Sequence, residues 1–174
     1  MKHVCLIGGT GMLAEVTKWY ADNNHIVSVV ARNEEKMNQL KNSCSNPENI
    51  KAVYVDYRDF VKLNESLKQS INRYGTFSEA IIWIHSDALL ALPVIFELLE
   101  EKSTAWQILG SKANAKTFRN QYQPSNNVIY NFIQLGFIRQ NNSHRWLTNT
   151  EIADGVICSI LSGKEYSLIG EVSN

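Results

Sequence analysis

The clearest indication of the fold comes from residues 6–14, Leu6-Ile7-Gly8-Gly9-Thr10-Gly11-Met12-Leu13-Ala14. An apolar run over residues 2–7 leads into this stretch and predicts a short strand. Apolar residues at helical spacing follow it, beginning with Leu13 and Val16, so the glycines lie at a predicted strand-to-helix junction.

Glycines at such a junction are typical of a loop that binds the phosphates of a dinucleotide. Gly8 permits a sharp turn off the strand, Gly11 leaves space for a pyrophosphate beside the main chain, and Ala14 is small enough for close helix packing. Free N–H groups and the positive end of the helix dipole would attract the phosphates. A tight turn without a ligand is the alternative. The predicted cofactor contacts in this loop are Gly8, Gly9, Thr10, Gly11, Met12 and Leu13.

The residue that separates NAD(H) from NADP(H) is expected about 20 positions after the glycines, at the end of the second strand. That strand is predicted over residues 25–31, and Arg32 and Asn33 follow it. An acid here would bond the ribose 2′-hydroxyl, whereas an arginine fork suits a 2′-phosphate, and the sequence predicts no carboxylate beside it. We therefore expect NADP(H) rather than NAD(H). An ordinary solvated residue at a helix start is the alternative for Arg32.

Strand and helix patterns alternate along the whole chain, which predicts helices packed on a parallel sheet. The sequence thus indicates an α/β fold, a doubly wound and mainly parallel Rossmann sheet of six or seven strands with helices on both faces, as one domain over residues 1–174. The strands are predicted over residues 2–7, 25–31, 50–56, 80–84, 105–109, 128–138 and 166–172.

The ends of several helices are also indicated. Apolar residues at helical spacing after Phe60 predict a helix that ends near Gly75, and another is predicted to begin near Pro93. The polar stretch 112–127 is predicted to be a loop with at most one short helix. Thr148-Asn149-Thr150-Glu151 forms a capping box for a last helix that ends at Gly163.

Composition excludes several classes of protein. The chain has 17 basic and 17 acidic side chains with no basic cluster, which argues against nucleic-acid binding and a polybasic membrane anchor. No apolar stretch reaches the ~20 residues that span a bilayer, and the N-terminus lacks a signal-peptide pattern, so a cytoplasmic location is expected. Cys5, Cys44 and Cys158 show neither paired spacing nor neighbouring histidines, so neither disulfides nor a metal site is predicted.

Several motifs together resemble those of the short-chain dehydrogenase/reductase superfamily over nearly the whole chain. They are Gly8-Gly9-Thr10-Gly11, Ala31-Arg32-Asn33, Val55-Asp56, the strand starting Ala80-Ile81-Ile82, Leu109-Gly110-Ser111 and Leu147-Thr148-Asn149-Thr150-Glu151-Ile152-Ala153. The resemblance implies that Asp56 contacts the adenine amino group, with Tyr57 beside it. It also implies that Ile84, His85 and Ser86 lie near the cofactor's ribose and nicotinamide, and that Ser111 corresponds to the family's catalytic serine.

The chain departs from the family pattern at the catalytic residues. The family uses a Tyr-x-x-x-Lys pair, in which the lysine lowers the pKa of the tyrosine that exchanges a proton with the substrate oxygen. None of the seven tyrosines here has lysine four residues later, and at 174 residues the chain is short for the family. The polar residues expected at the carboxyl ends of neighbouring strands are His85, Ser86, Ser111, Lys112 and Tyr130. Of these, His85, Ser111 and Lys112 are the candidate catalytic residues.

Three functions follow as hypotheses. The first is an atypical NADP(H)-dependent oxidoreductase acting on an unknown carbonyl or alcohol substrate, and the second is a noncatalytic NADP(H)-binding sensor or regulatory protein. A transferase that uses S-adenosylmethionine is a distant third, because it would favour an acid where Arg32 stands. A homo-oligomer is a further hypothesis, with the strand 128–138 and the last helix as its candidate surface.

Overall fold

A seven-stranded sheet forms the centre of the molecule, and a separate two-stranded sheet follows its sixth strand in the chain. The computed structural model describes residues 1–124, 127–140 and 143–172. The strands are β1 (His3–Ile7), β2 (Ile26–Ala31), β3 (Ile50–Tyr54), β4 (Phe77–Ile82), β5 (Leu99–Leu109), β6 (Ile129–Leu135), β7 (Phe137–Gln140), β8 (Ser143–Trp146) and β9 (Tyr166–Ile169). The helices are α1 (Ala14–Asp22), α2 (Glu34–Asn42), α3 (Phe60–Tyr74), α4 (Ala91–Glu97), α5 (Ala115–Gln121) and α6 (Asn149–Ser162).

The order of strands in the main sheet is β3-β2-β1-β4-β5-β6-β9, and every neighbouring pair is parallel. This arrangement confirms the predicted doubly wound α/β fold with a parallel sheet of seven strands. Parallel strands all end at one edge, which we call the carboxyl edge. The strand order reverses between β1 and β4, and open α/β sheets bind ligands in the crevice outside such a reversal.

The sheet has a hydrophobic core on each face, because successive side chains of a strand point to opposite sides. In β1, Val4 and Leu6 belong to a core that also contains residues of α1, α2 and α6. Cys5 and Ile7 belong to the other core, which contains residues of α3 and α4. The helices therefore cover both faces, as the sequence predicts.

Three helix ends lie where the sequence indicates them. Gly75 is the C-cap residue of α3, and Gly163 ends α6 with a left-handed backbone (φ = 65°). At the start of α6, the Thr148 side chain accepts a hydrogen bond from the Glu151 N–H while the Glu151 carboxylate accepts one from the Thr148 N–H. Both halves of the capping box are therefore formed.

Strand β5 is longer than predicted, since it begins at Leu99 and not at Ala105. The first half of β5 contains several polar residues, so it lacks the alternation of apolar and polar residues that predicts a strand. Lys102 has a positive φ of 64°, and the register with β4 shifts between Phe77 and Glu79. Because of this irregularity, the early and later parts of β5 both pair with β4, but in different registers.

The predicted single strand over residues 128–138 is wrong, because the chain leaves the main sheet after Leu135. Phe137 begins β7, which pairs with β8 in an antiparallel hairpin that the sequence did not predict. At the junction, Phe137 and Glu171 exchange two backbone hydrogen bonds of 2.8 Å. A side chain on Gly136 would collide with the backbone of Glu171, so this glycine permits the two segments to approach each other.

The predicted oligomer surface needs a correction as well. Strand β6 lies between β5 and β9, and its residues Phe132 and Ile133 are buried, so β6 is not available to a partner subunit. The edge strands of the sheet are β3 and β9.

In the part of the chain that the structure describes, no helix has the length and apolar character needed to cross a bilayer.

Candidate functional site

The carboxyl edge brings together the residues that the sequence singled out. Gly8 follows β1, Arg32 follows β2, Asp56 follows β3, His85 follows β4 and Ser111 follows β5. Since all these strands are parallel neighbours, their ends lie along one side of the sheet. The fold thus collects residues that are far apart in sequence into one candidate site.

The glycine loop turns sharply at Gly8, whose φ is +88°. Trp83, which follows β4, packs over this turn, and a Cβ on Gly8 would lie 3.3 Å from two of its side-chain atoms. The tryptophan backbone N–H donates to the Ile7 carbonyl at 3.2 Å, so the residues after β4 are held against the end of β1. Trp83 is therefore part of the wall of the crevice at the strand reversal.

Gly9 and Gly11 differ in their surroundings. A Cβ on Gly9 would lie 2.6 Å from side-chain atoms of both Leu6 and Thr17, so the close contact between loop and helix is made at Gly9. A Cβ on Gly11 would meet nothing nearer than the Gly8 carbonyl oxygen, at 3.8 Å. The space beside the Gly11 backbone is therefore open to an approaching group, as a phosphate loop requires, although the Gly11 N–H donates to the Gly8 carbonyl at 3.3 Å.

The start of α1 has no side-chain cap. Leu13 occupies the N-cap position and makes no side-chain hydrogen bond there. The Ala14 N–H donates to the Gly11 carbonyl at 3.0 Å. The other N–H groups in the first turn of a helix have no partner within the helix, so they need solvent or a ligand when the cap supplies none. Together with the open backbone at Gly11, this helix start fits an anionic group such as a pyrophosphate.

The environment of Arg32 differs from the sequence-based expectation, which placed no carboxylate beside it. Arg32 Nη1 lies 3.2 Å from Asp56 Oδ2, because the ends of β2 and β3 are neighbours. The Arg58 backbone N–H also donates to Asp56, and this bond, followed by the Arg32 guanidinium, lowers the pKa of the Asp56 carboxyl. Asn33 caps α2 by accepting from the Lys36 N–H at 2.8 Å, so its side-chain oxygen already has a structural partner.

A second arginine connects the ends of β3 and β4. Arg58 Nε and Nη2 donate to the Asp87 carboxylate at 3.1 and 3.0 Å. The Arg58 guanidinium also lies 5.2 Å from the centre of the Tyr57 ring, and Tyr57 packs against the core. With Arg32 and Asp56, these residues form a chain of alternating charges along the ends of β2, β3 and β4.

The residues after β4 have different degrees of burial. Ile84 is buried in the core, while His85 and Ser86 are exposed at the start of a short 3₁₀ turn. The His85 ring lies edge-on to Trp83 at 6.3 Å between ring centres. This arrangement places an exposed imidazole and a hydroxyl at the rim of the crevice.

Ser111 and Lys112 line a cavity of about 830 Å³ whose lining does not include His85. The candidate catalytic residues therefore form two groups along the carboxyl edge: Ser111 and Lys112 line the cavity, and His85 lies outside its lining. The cavity lies between the segment after β5, the hairpin β7–β8, and the residues at both ends of β9. Its lining includes Ser111, Lys112, Asn114, Lys116, Gln134, Phe137, His144, Trp146, Tyr166 and Val172.

Gln134 organises one side of this cavity, and the sequence analysis did not find it. Its amide Nε2 donates to the carbonyl oxygens of Ser111 (3.2 Å) and Ala113 (2.8 Å), and its Oε1 accepts from the Tyr166 hydroxyl at 2.7 Å. The only signal in the sequence was an amide within a mainly apolar strand, and Asn131 of the same strand gives that signal too. Gln134 therefore holds the backbone after β5 and the Tyr166 phenol in fixed positions.

Tyr130 is not at the carboxyl edge, so its proposed place near the reaction centre is wrong. It is the second residue of β6, near the opposite end of that strand from Gln134. Burial raises the pKa of its phenol, and the ring packs against Phe96 and Phe132. Tyr130 is thus a core residue.

The loop predicted over residues 112–127 contains the short helix α5, which begins at Ala115 after an Asn114 cap. The tyrosine on this segment, Tyr122, forms the C-cap of the helix. Residues 125 and 126 of the predicted loop lie outside the described residues. Tyr166, from β9, lines the cavity together with Ser111.

Searches for related proteins found similarity at the level of structure. No family model and no curated protein matches the chain. The fold is similar to a short-chain dehydrogenase/reductase of the glucose/ribitol dehydrogenase type from Brucella melitensis, with a TM-score of 0.70 and 14% identity over 97% of this chain and 94% of that one. It is also similar to a short-chain dehydrogenase/reductase from Serratia marcescens, with a TM-score of 0.71 and 14% identity over 96% and 95% of the two chains.

A third similar structure is the apo-form glucose dehydrogenase of Caenorhabditis elegans, with a TM-score of 0.70 and 12% identity over 97% of this chain and 95% of that one. These comparisons establish that the chain has the fold of short-chain dehydrogenase/reductase structures. At the level of the fold, they confirm the resemblance that the motifs indicated.

Proposed function

We propose that the chain binds NADP(H) at the carboxyl edge and acts as an oxidoreductase on a carbonyl or alcohol substrate. The observation that carries this proposal is the glycine loop, in which the open backbone at Gly11 adjoins the uncapped start of α1. The loop lies at the reversal of strand order, where this class of fold binds ligands. The similarity to dehydrogenase structures supports the same function.

The preference for NADP(H) rests on Arg32. Its side chain is 63% exposed, and its ion pair with Asp56 uses Nη1 alone, so the other N–H groups of the guanidinium are able to bond a 2′-phosphate. Asp56 then lies beside the adenine, with Tyr57 next to it. Guanidinium–phosphate bonds are strong because both groups are charged and their geometries match.

The proposed chemistry uses residues at two places along the edge. NADPH, when bound, supplies a hydride to the carbonyl carbon of the substrate. The Ser111 hydroxyl would donate a hydrogen bond to the carbonyl oxygen, and the Lys112 ammonium would stabilise the negative charge that develops there. The alkoxide left by hydride transfer would take its proton from the Lys112 ammonium, which water would then reprotonate. Ile84, His85 and Ser86 would contact the ribose and nicotinamide of the cofactor, and His85 would be the alternative donor to the substrate oxygen.

A noncatalytic NADP(H)-binding protein is the second candidate function. It is favoured by the sequence itself, since none of the seven tyrosines is followed by lysine at the fourth position. Screening carbonyl compounds for NADPH oxidation separates the two candidates. Turnover supports the oxidoreductase, whereas tight nucleotide binding without turnover supports the sensor or regulatory protein.

The nucleotide proposal is tested by titrating the protein with NADPH and NADH, and by repeating both titrations with Arg32→Ala. We expect the Kd for NADPH to rise about tenfold, because a charge-assisted contact is worth roughly 1.5 kcal/mol or more, while the Kd for NADH changes little. Arg73→Ala is the matched control, since Arg73 lies in the last turn of α3, which leads to the opposite edge of the sheet.

Two results would contradict the proposal in different ways. Failure of either nucleotide to bind the parent protein would remove the cofactor. Equal loss of NADPH and NADH affinity in the Arg32 variant, or tighter NADH than NADPH binding in the parent, would remove the 2′-phosphate contact and leave a general nucleotide site.

A further inference from the structure

The cavity beside Ser111 has an unusual distribution of charge. The charged or potentially charged side chains in its lining are Lys112 and Lys116 from the segment after β5, and His144 from β8. No aspartate or glutamate lines it among the described residues. In a protein with equal numbers of basic and acidic residues, such a local excess of positive charge marks a place where an anion is stabilised.

The acidic residues closest to the lining in sequence do not offset this charge, because each has an arginine partner. Glu165, next to Tyr166, lies 2.7 Å from Arg119. Glu171, next to Val172, lies 2.9 Å from Arg139. Neither Lys112 nor Lys116 has a carboxylate within salt-bridge distance among the described residues.

Three aromatic side chains also line the cavity. Phe137 and Trp146 face each other across the hairpin register, since Phe137 pairs with Trp146 in the β7–β8 ladder. Trp146 lines the cavity and is 66% exposed. Tyr166 adds a third ring, which Gln134 holds through its hydroxyl. Flat rings of this kind bind an apolar, planar group without a large loss of side-chain entropy.

We infer that this cavity binds a small carboxylate with an aromatic body. The carboxylate contacts Lys112 and Lys116, and the ring packs against Trp146 and Phe137. Ser111 also lines this cavity, so a carbonyl group between the carboxylate and the ring would lie in the same cavity as this serine. This inference rests on the proposed function, and it names an aryl oxo acid, or the corresponding hydroxy acid, as the substrate class.

The binding test uses benzoate as the anionic probe and benzamide as its neutral counterpart, measured by ligand-observed NMR on the nucleotide-free protein. We expect saturable benzoate binding that is clearly tighter than benzamide binding. Lys112→Met and Lys116→Met should each raise the benzoate Kd by about two- to tenfold, as expected for exposed charge-assisted contacts, and leave benzamide unchanged. Lys68→Met, an exposed lysine on α3, should change neither.

A second variant tests the aromatic wall separately. Trp146→Ser should weaken benzoate and benzamide by a similar factor, because it removes the ring contact and keeps the charges. Thermal melting of every variant checks that folding is unchanged; all four positions are exposed. If benzoate does not bind saturably, if benzamide binds as well as benzoate, or if both lysine variants bind benzoate as the parent does, the inference is wrong.

The NADPH titration keeps this inference distinct from the proposed function. Benzoate binding that depends on the lysines, without NADPH binding, would overturn the nucleotide proposal and keep the carboxylate site. NADPH binding without selective benzoate binding would overturn the carboxylate site alone. With both present, phenylglyoxylate should oxidise NADPH faster than acetophenone, and Lys112→Met should reduce that difference.

Discussion

Glycines 9 and 11 have different roles, although one residue separates them. Gly9 is buried. Because it has no side chain, the side chains of Leu6, Val29 and Thr17 can pack close to its backbone. Gly11 is exposed and has nothing near it except the Gly8 carbonyl. Packing therefore requires glycine at position 9, whereas position 11 is free for a ligand contact.

Replacing each glycine by alanine should separate stability from nucleotide binding. Gly9→Ala introduces a methyl group into contacts of 2.6–2.9 Å, and overpacking of this kind costs roughly 1–3 kcal/mol of unfolding free energy. Gly11→Ala should leave the melting temperature close to that of the parent and weaken NADPH binding. Denaturant unfolding and nucleotide titration measure the two effects. A Gly11 variant with unchanged NADPH affinity would argue against phosphate contact at this position.

At the scale of single residues, the sequence indicated the loop and Arg32 but not their surroundings. Spacing predicts which residues follow each strand, because the strand periodicity is visible along the chain. It does not predict that Asp56 pairs with Arg32, because that contact depends on the neighbour relation of β2 and β3. Gln134 and Tyr166 were missed for the same reason, since their hydrogen bond joins two distant strands.

The start of α6 is an element whose capping is coupled to the hairpin. The Glu151 carboxylate accepts from both Nη atoms of Arg145 at 2.8 Å while it also completes the capping box with Thr148. The Arg145 guanidinium, followed by the Thr148 N–H, lowers the pKa of Glu151 to about 2. One carboxylate thus joins β8 to the helix that follows it.

This coupling predicts a pH-dependent contribution to stability. A carboxyl group whose pKa is lowered by folding stabilises the folded state above its unfolded pKa, and that contribution is lost as the pH falls. Glu151→Gln should therefore lower the melting temperature at pH 7. The difference from the parent should shrink as the pH falls from about 4.5 toward 2. Glu65→Gln, an exposed change on α3, serves as the control. A difference that does not vary with pH would contradict the pairing.

Elements with a regular pattern and a cap were predictable, and irregular ones were not. Apolar spacing and the capping residues gave α3 and α6 nearly as observed. The early half of β5 was missed because it is polar, and the change of sheet at Gly136 was missed because an apolar run continues across it. The hairpin that closes the cavity therefore could not be seen from periodicity.

Cys5 lies in the middle of β1, between two other strands, and its side chain is buried in the core that contains residues of α3 and α4, so it reports on the whole molecule. Burial raises the pKa of its thiol to about 12. Because the thiolate is the reactive form, Cys5 should resist thiol reagents until the protein unfolds globally. Cys158 is exposed and should react rapidly in the native state.

Labelling as a function of denaturant measures this difference, with Cys158→Ser and Cys44→Ser combined so that Cys5 is the remaining thiol. We expect the modification of Cys5 to follow the global unfolding transition seen by circular dichroism. Rapid modification under native conditions would indicate that the central strand opens locally.

The uniformly parallel sheet has a consequence for the way the chain reaches its native state. Every pair of adjacent strands in the main sheet is parallel, so each connection must cross from one edge of the sheet to the other, and Val4 of β1 pairs with Glu79 of β4. Contacts between strands that are distant in sequence slow folding, because the chain loses entropy before it gains the stabilising contacts. During synthesis, β1 leaves the ribosome well before β4 exists. We expect the nascent chain to expose one side of its central strand for that interval, and to benefit from chaperones.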